Sequence, residues 1–218
     1  TIAVYADNSN NPSYPPGKPQ ELLDFTYFGG IYRDVWLIKL NKTYITHPLG
    51  VDKIAGGGVF SVTERIENNQ AFLKVLVDVE NEDIKKQLSI KASLIDKNNF
   101  LAGESIVKKE VNALSSQSFD FTIKVDNPLL WSPNDPHLYD LLIEISDDQG
   151  KKIDSYLKKI GIRTIELKGR KGLFLNGEKY PELLLGGNRH QDFAHIGNAL
   201  PNNLHWRDAL KLRQIGMK

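Results

Sequence analysis

Cysteine is absent from all 218 residues, which excludes disulfides and thiolate metal sites but selects no compartment. Long apolar runs are missing as well, and nothing approaches the roughly 18 residues a helical membrane span requires. Charge of one sign is not in excess: 28 Lys and Arg face 27 Asp and Glu, a net charge of +1. Such a balance creates no global field to recruit nucleic acid or an anionic membrane, so neither is expected as a partner. No initiator methionine or signal peptide opens the sequence, and no phosphate-cradling loop or Ser-His-Asp arrangement is evident. What remains is ordinary for a soluble globular protein, with cytoplasm and periplasm both left open as its compartment: 40% apolar and 25% charged residues, enough core for one large domain or two smaller ones.

From residue 48 to about 165 the chain is a series of evenly spaced segments of period two. Val59–Ile66 comes first. Leu73, Val75, Val77 and Val79 alternate with polar residues in the second, and Leu88, Ile90, Ala92 and Leu94 in the third. Leu101–Val111, Phe119–Val125, Tyr139–Ile145 and Ile153–Ile162 complete the series. Seven strands at this spacing predict an antiparallel two-sheet sandwich of immunoglobulin type. Lys and Glu at the alternate positions are its solvated faces. Three prolines in Asn127–Tyr139 forbid regular ladder bonding there, leaving Trp131 to plug the sandwich end or an interdomain contact and His137 as a satisfied structural residue.

The flanks differ. Thr1–Ala6 alternates like a strand and ends in the turn formers Asp7 to Pro12, and a loop continues through Pro15-Pro16-Gly17 to about residue 21. Asp24–Ile38 is rich in aromatic and β-branched residues and favours strand, with Gly29-Gly30 allowing a bulge. Arg33 and Asp34 are expected to form an ion pair or a backbone-bonded corner. Asp24 is a carboxylate beside an aromatic run, the mixture of acceptors and ring faces that sugar sites use. Downstream, Asn176-Gly177 is a hairpin turn signal. Leu183-Leu184-Leu185 followed by Gly186-Gly187 has the pattern of a short buried strand ending in a sharp turn. Asn188, Arg189, His190 and Asp192 follow at once, where the parallel α/β folds place their ligand-binding residues. Leu204–Ile215 is predicted to be a helix, with Asn202 or Asn203 as N-cap and Gly216 at its stop, apolar on more than one face. Strand, polar loop and helix make one β/α unit, and the sequence stops where a further strand would come, so it is expected to be an excerpt of a longer protein.

Four pieces of the chain, in order, resemble the family 2 glycoside hydrolases, particularly the β-galactosidases. They are Asp24–Trp36 (DFTYFGGIYRDVW), Asn127–Pro133 (NPLLWSP) with Pro136–Tyr139 (PHLY), Phe174–Gly177 (FLNG) and Gly187–Asp192 (GNRHQD). The resemblance implies a mainly β chain: residues 1–47 as the end of a jelly-roll sugar-binding domain, 48–165 as an immunoglobulin-like β-sandwich, and 166–218 as the first β/α unit of a catalytic (β/α)8 barrel. It implies retaining hydrolysis of terminal β-D-galactosides, in which one carboxylic acid protonates the leaving oxygen and a second carboxylate about 5–5.5 Å away attacks the anomeric carbon. The family's two catalytic glutamates lie on later barrel strands, so residues 1–218 alone are expected to be inert.

The substrate shell carries over by resemblance. His190 matches the family's sugar-contacting histidine, and Asp24 matches a carboxylate near the galactosyl hydroxyls and a bound sodium. Asn188 and Arg189 belong to the same motif and hold the loop or touch the sugar. No cofactor is required, though Na+ or Mg2+ are candidates for the whole enzyme. The expected partner is a β-galactoside or oligosaccharide, with a homo-oligomer also open. Gln191-Asp192-Phe193 departs from the His-rich run of the family's galactosidases, which keeps β-glucuronides and other β-glycosides open. A non-catalytic carbohydrate-binding module and a structural spacer are the alternative readings. His190 with His195 is a weak zinc pair in a chain without cysteine. Asn41-Lys42-Thr43 fits the N-glycosylation pattern, a common accident.

Overall fold

A computed structural model describes residues 1–49, 51, 54 and 56–217. The chain divides into two compact units, Lys39–Pro181, and Thr1–Ile38 with Glu182–Lys218.

The first unit is built around β3 (Gln70–Asn81), whose residues alternate between half-buried and buried along its length. β6 (Ser115–Asp126) pairs with it antiparallel from Gln70↔Asp126 to Asn81↔Ser115. On the other flank β2 (Val59–Glu67) pairs with residues 70–77, and the short β1 (Thr43–Ile45) with 79–81. The second sheet has the order β5-β4-β7-β8, from β4 (Lys86–Ile95), β5 (Leu101–Val111), β7 (Tyr139–Ser146) and β8 (Lys152–Ile160), again antiparallel. Period-two patterning puts Leu73, Val75 and Val77 on one face with Ile123, Phe121 and Phe119 directly across the ladder. Ile90, Ala92 and Leu94 face Ile145, Ile143 and Leu141 in the other sheet. These two faces merge into one buried cluster, so the sheets form an antiparallel sandwich with a single core. All seven expected strands are present. The outward residues pair across strands, as in Lys74–Asp120 at 3.0 Å and Lys91–Glu104 at 2.8 Å.

Beyond β8, a small antiparallel sheet is formed by β9 (Ile165–Leu167), β10 (Leu173–Leu175) and β11 (Glu178–Lys179). Asn176 and Gly177 close the β10–β11 hairpin with φ of 54° and 82°, the two left-handed residues a type I′ turn needs. Asn176 also ties the sheet back, its Oδ1 accepting from the Thr164 N–H and its amide donating to the Trp131 carbonyl, each at 3.1 Å. Trp131 sits at that end of the sandwich, its ring under the Arg163 guanidinium at 4.6 Å and so close to Gly161 that a Cβ there would lie 2.8 Å from it.

In the second unit, the strands expected at residues 1–7, 24–38 and 183–187 are absent. A strand exists only by pairing, and no described segment offers these a ladder, so Val35, Trp36, Leu37 and Leu183 stay exposed. The helix, α1, is found at Asn202–Gln214, two residues earlier than expected at its start. Its cap is Pro201, without a side-chain hydrogen bond, and not Asn202 or Asn203. Its end is a Schellman motif. Gly216 at φ 94° donates to the Arg213 carbonyl and Met217 to the Leu212 carbonyl, both at 3.1 Å. Trp206 and Leu210 on α1 are exposed.

Candidate functional site

The polar residues after Gly187 are held in place through α1 and the N-terminal segment. Arg189 reaches Asp208 with two nitrogens, Nε at 3.0 Å and Nη2 at 2.5 Å, both to Oδ2. Arg207 takes the other carboxylate oxygen at 3.0 Å and lays its guanidinium 5.6 Å above the Phe193 ring. The Arg189 bonds, and after them those from Arg207, hold the Asp208 carboxyl below its ordinary range. Asp208 is therefore an anchor for two arginines and stays a carboxylate.

Arg33 makes the link that local reading did not find. It does not pair with Asp34. Its Nη2 donates to Gln191 Oε1 at 2.7 Å, and its Nη1 lies 2.9 Å from His205 Nε2. These partners stand 158 and 172 residues away in sequence, so no spacing rule could have found them. His205 Nδ1 faces Arg189 Nη1 at 3.2 Å, which places one imidazole between two guanidinium groups.

A cavity of about 380 Å³ opens beside this network, lined by Phe25, Tyr27 and Tyr32 on one side and by Arg189, His190 and Asp192 on the other, among others. Its volume lies in the range of about 300–1,000 Å³ typical of small-molecule sites. Phe25 meets the His190 ring edge-on, centroids 6.3 Å apart at 76°. Phe28, another lining residue, packs against Gly197, where a Cβ would fall 2.8 Å from the ring and φ is 53°, so only glycine fits. The cavity thus offers aromatic faces beside an imidazole, a guanidinium, an amide and a carboxylate, a set that recognises a hydroxyl-bearing ring.

Of the four residues expected at the site, His190 and Arg189 line this cavity; Asn188 and Asp24 do not. Asp24 is exposed, one residue before Phe25, and makes no hydrogen bond or ion pair among the described residues. Among those residues no group of three or more acidic or histidine side chains could hold a metal ion. One exposed carboxylate does not make a cation cage, so the sodium or magnesium implied by resemblance does not fit Asp24 as it stands here, and no chemistry is derived through it.

His137 departs from its expected satisfied state. It is 8% exposed, stacks edge-on against Tyr139 at 5.0 Å, and leaves Nε2 buried without a partner. The glycosylation pattern at Asn41 is spent on folding: the Asn41 amide donates to the Ile153 carbonyl, and the buried Thr43 hydroxyl donates to Asn81 Oδ1 at 2.8 Å.

Residues 58–163, the heart of the sandwich, match the family model described as glycosyl hydrolases family 2. Residues 58–163 belong to the glycosyl hydrolases of family 2. A β-galactosidase of Thermoanaerobacter pseudethanolicus is 31% identical over 208 residues, a match covering 95% of this chain and 25% of that protein. A β-glucuronidase of Bacteroides fragilis is 33% identical over 200 residues, covering 89% of this chain and 27% of that one. The crystal structure of a Bacteroides uniformis β-glucuronidase superposes with a TM-score of 0.80 at 28% identity, over 97% of this chain and 24% of that chain. The chain therefore spans about a quarter of the length of the family 2 relatives it matches. No helix among the described residues is long and apolar enough to cross a membrane.

Proposed function

We propose that this chain is the sandwich-bearing part of a retaining β-glycosidase, and that the cavity beside His190 receives the sugar. The observation that carries the reading is the meeting of Phe25 and His190. Two motifs more than 160 residues apart, each singled out in the sequence as sugar-directed, share one wall-to-wall cavity in one compact unit. Neutral imidazole, with one donor and one acceptor, suits a hydroxyl partner, and Arg189, held to α1 by Asp208, keeps the loop still while the sugar binds. Residues 1–38 and 182–218 are then the parts that a jelly-roll domain and a barrel would contribute to that site. The sandwich carries them as a spacer.

The acid and nucleophile glutamates of the reaction lie outside residues 1–218 in this reading, so the chain alone binds without hydrolysing. Both a β-galactoside and a β-glucuronide remain substrates to test. Gln191 and Asp192 stand where the galactosidase pattern has further histidines, and the relatives divide between the two activities. The experiment is expression of the complete protein with aryl β-galactosides and aryl β-glucuronides side by side. Release of the aryl group from one of them is expected, and the 218-residue chain should release none. A complete protein that cleaves neither overturns the proposal.

A further inference from the structure

The sandwich unit has a groove of its own, about 570 Å³, walled by residues 61–66 of β2 on one side and by residues 163–166 on the other. We propose that this groove takes the strand-like segment 35–40 of a second copy, so that the 218-residue chain pairs with itself by strand exchange. Both walls are open strand edges. Gly58 accepts from the Asp78 N–H at 2.9 Å, and an antiparallel ladder alternates, so Phe60 and Val62 bond to β3 as well. Ser61 and Thr63 therefore turn their backbone N–H and C=O groups away from β3. Lys158 takes up one such group just before them, its Nζ donating to the Val59 carbonyl at 3.3 Å. The other wall follows the same rule. Asn176 donates to the Thr164 carbonyl at 2.9 Å and Lys168 to the Gly172 carbonyl at 3.0 Å, so Ile165 turns its own groups away from β10. No turn, loop or side-chain bond among the described residues takes up the backbone groups of Ser61, Thr63 or Ile165. The two walls run in the same direction, with Lys158 beside Val59 and the Arg163 N–H 3.3 Å from the Thr63 hydroxyl. One strand entering between them is antiparallel to both.

Alternating backbone donors and acceptors on two facing edges are matched by another extended backbone, which pairs all of them at once. The chain carries such a strand without a ladder. Val35, Trp36, Leu37 and Ile38 are between 60% and 89% exposed, and their apolar, partly β-branched content favours strand. No turn, loop or side-chain bond among the described residues holds 35–40 in place. Residues 35–40 and 61–66 are equal in length, about 20 Å each at the rise of a strand. The segment is apolar on both faces, so in either register it covers Phe60 and Val62, which β2 leaves 52% and 42% exposed. Asp34 and Lys39 bring opposite charges to a rim that carries Arg65 and Arg163 beside Glu64 and Glu166. Arg163 rests on the Trp131 ring and meets no carboxylate among the described residues. Each copy thus offers one open groove and one unpaired strand, and two copies that exchange them satisfy both needs in a closed pair.

Sedimentation of the 218-residue chain across a wide range of concentration reads the association. The parent, 24.6 kDa, is expected to pass from one-chain to two-chain mass, and hydrogen exchange at the Ser61, Thr63 and Ile165 amides should slow as it does. Ser61→Pro removes a groove-facing N–H and none of the β3 ladder, and Leu37→Asp places a charge in the exchanged strand. Each should weaken the association at least about tenfold. Trp206→Asp takes away a large exposed ring on α1 and should leave the association unchanged. Melting of the β-signal checks that Ser61→Pro still folds. If it melts lower, Leu37→Asp, which lies outside the sandwich, decides together with a synthetic peptide of residues 34–40, which should return the parent to one-chain mass by competition. A parent that stays at one-chain mass overturns the proposal. So does an association that Trp206→Asp weakens as much as Leu37→Asp, or a two-chain mass with the Ser61, Thr63 and Ile165 amides still exchanging freely.

Discussion

Gly103→Ala tests the sandwich at a place where its two sheets approach closely. Gly103 sits on β5, in one sheet, and a Cβ there would lie 2.5 Å from the Lys124 carbonyl oxygen and 2.9 Å from Ile123 Cγ2 on β6, in the other. The obstacle is backbone, and Lys124 is paired with Phe72 in the β3–β6 ladder, so it cannot retreat without opening that ladder. Overpacking in a tight core costs about 1–3 kcal/mol, and a rigid carbonyl places this site near the upper end. Replacing glycine in a strand returns about 0.5–1 kcal/mol of backbone entropy. The net destabilisation is about 2 kcal/mol, which for a chain of this size lowers the melting temperature by about 4–8 °C. All strands among the described residues lie in Lys39–Pro181, so the β-signal of far-UV circular dichroism reports this unit directly. Lys108→Ala, exposed on the same strand, is the control and should stay within about 0.5 kcal/mol of the parent. A Gly103→Ala variant that melts with the parent would mean that the sheets do not touch there, and the argument from the close approach would fail.

Leu141→Ala, fully buried in the merged core, should cost about 2–5 kcal/mol by denaturant titration, with the slope unchanged. The Asp208 carboxyl is held below its ordinary value in the folded chain, so the stability it contributes is complete above the unfolded value near 3.8 and is lost as pH falls through the folded value. The shift of the Asp208 side-chain carboxyl carbon should accordingly stay flat down to that region and then move; movement centred well above it would contradict the anchoring role. Expression in a glycosylating host should leave Asn41 unmodified by mass spectrometry, because its amide and the Thr43 hydroxyl are both committed to the fold.

Much of the sandwich was legible because each of its strands carries its own evidence. β3 alternates without a break, β5 occupies the very residues its pattern marks, and Asn176-Gly177 forms the turn its two left-handed residues allow. Residues 24–38 show the limit of that logic. Their aromatic and β-branched content is as strand-like as that of β3, yet a ladder is a property of two segments, and no second segment is described beside them. The site divides in the same way. Arg189 and His190 stand in a polar run after a diglycine and were visible locally. Arg33 was not, because its partners are brought to it only by folding. Asp24 was singled out for its aromatic neighbours, and it is the neighbour, Phe25, that lines the cavity.

The arrangement around His205 has a consequence that composition could never suggest. Both ring nitrogens face guanidinium groups, which donate and cannot accept. A neutral imidazole has one acceptor nitrogen, so only one of the two contacts is a hydrogen bond. Arg189 already spends Nε and Nη2 on Asp208, whereas among the described residues Arg33 bonds only Gln191 and His205, and its contact with Nε2 is the shorter, 2.9 Å against 3.2 Å. On that ground we assign the lone pair to Nε2, facing Arg33, and the proton to Nδ1. Arg33→Ala removes that acceptor's partner and frees Gln191 beside His190, so nitrogen chemical shifts should show His205 leaving the Nδ1–H form while the His190 resonances broaden. An unchanged His205 tautomer in that variant would show that Arg33 does not set the ring.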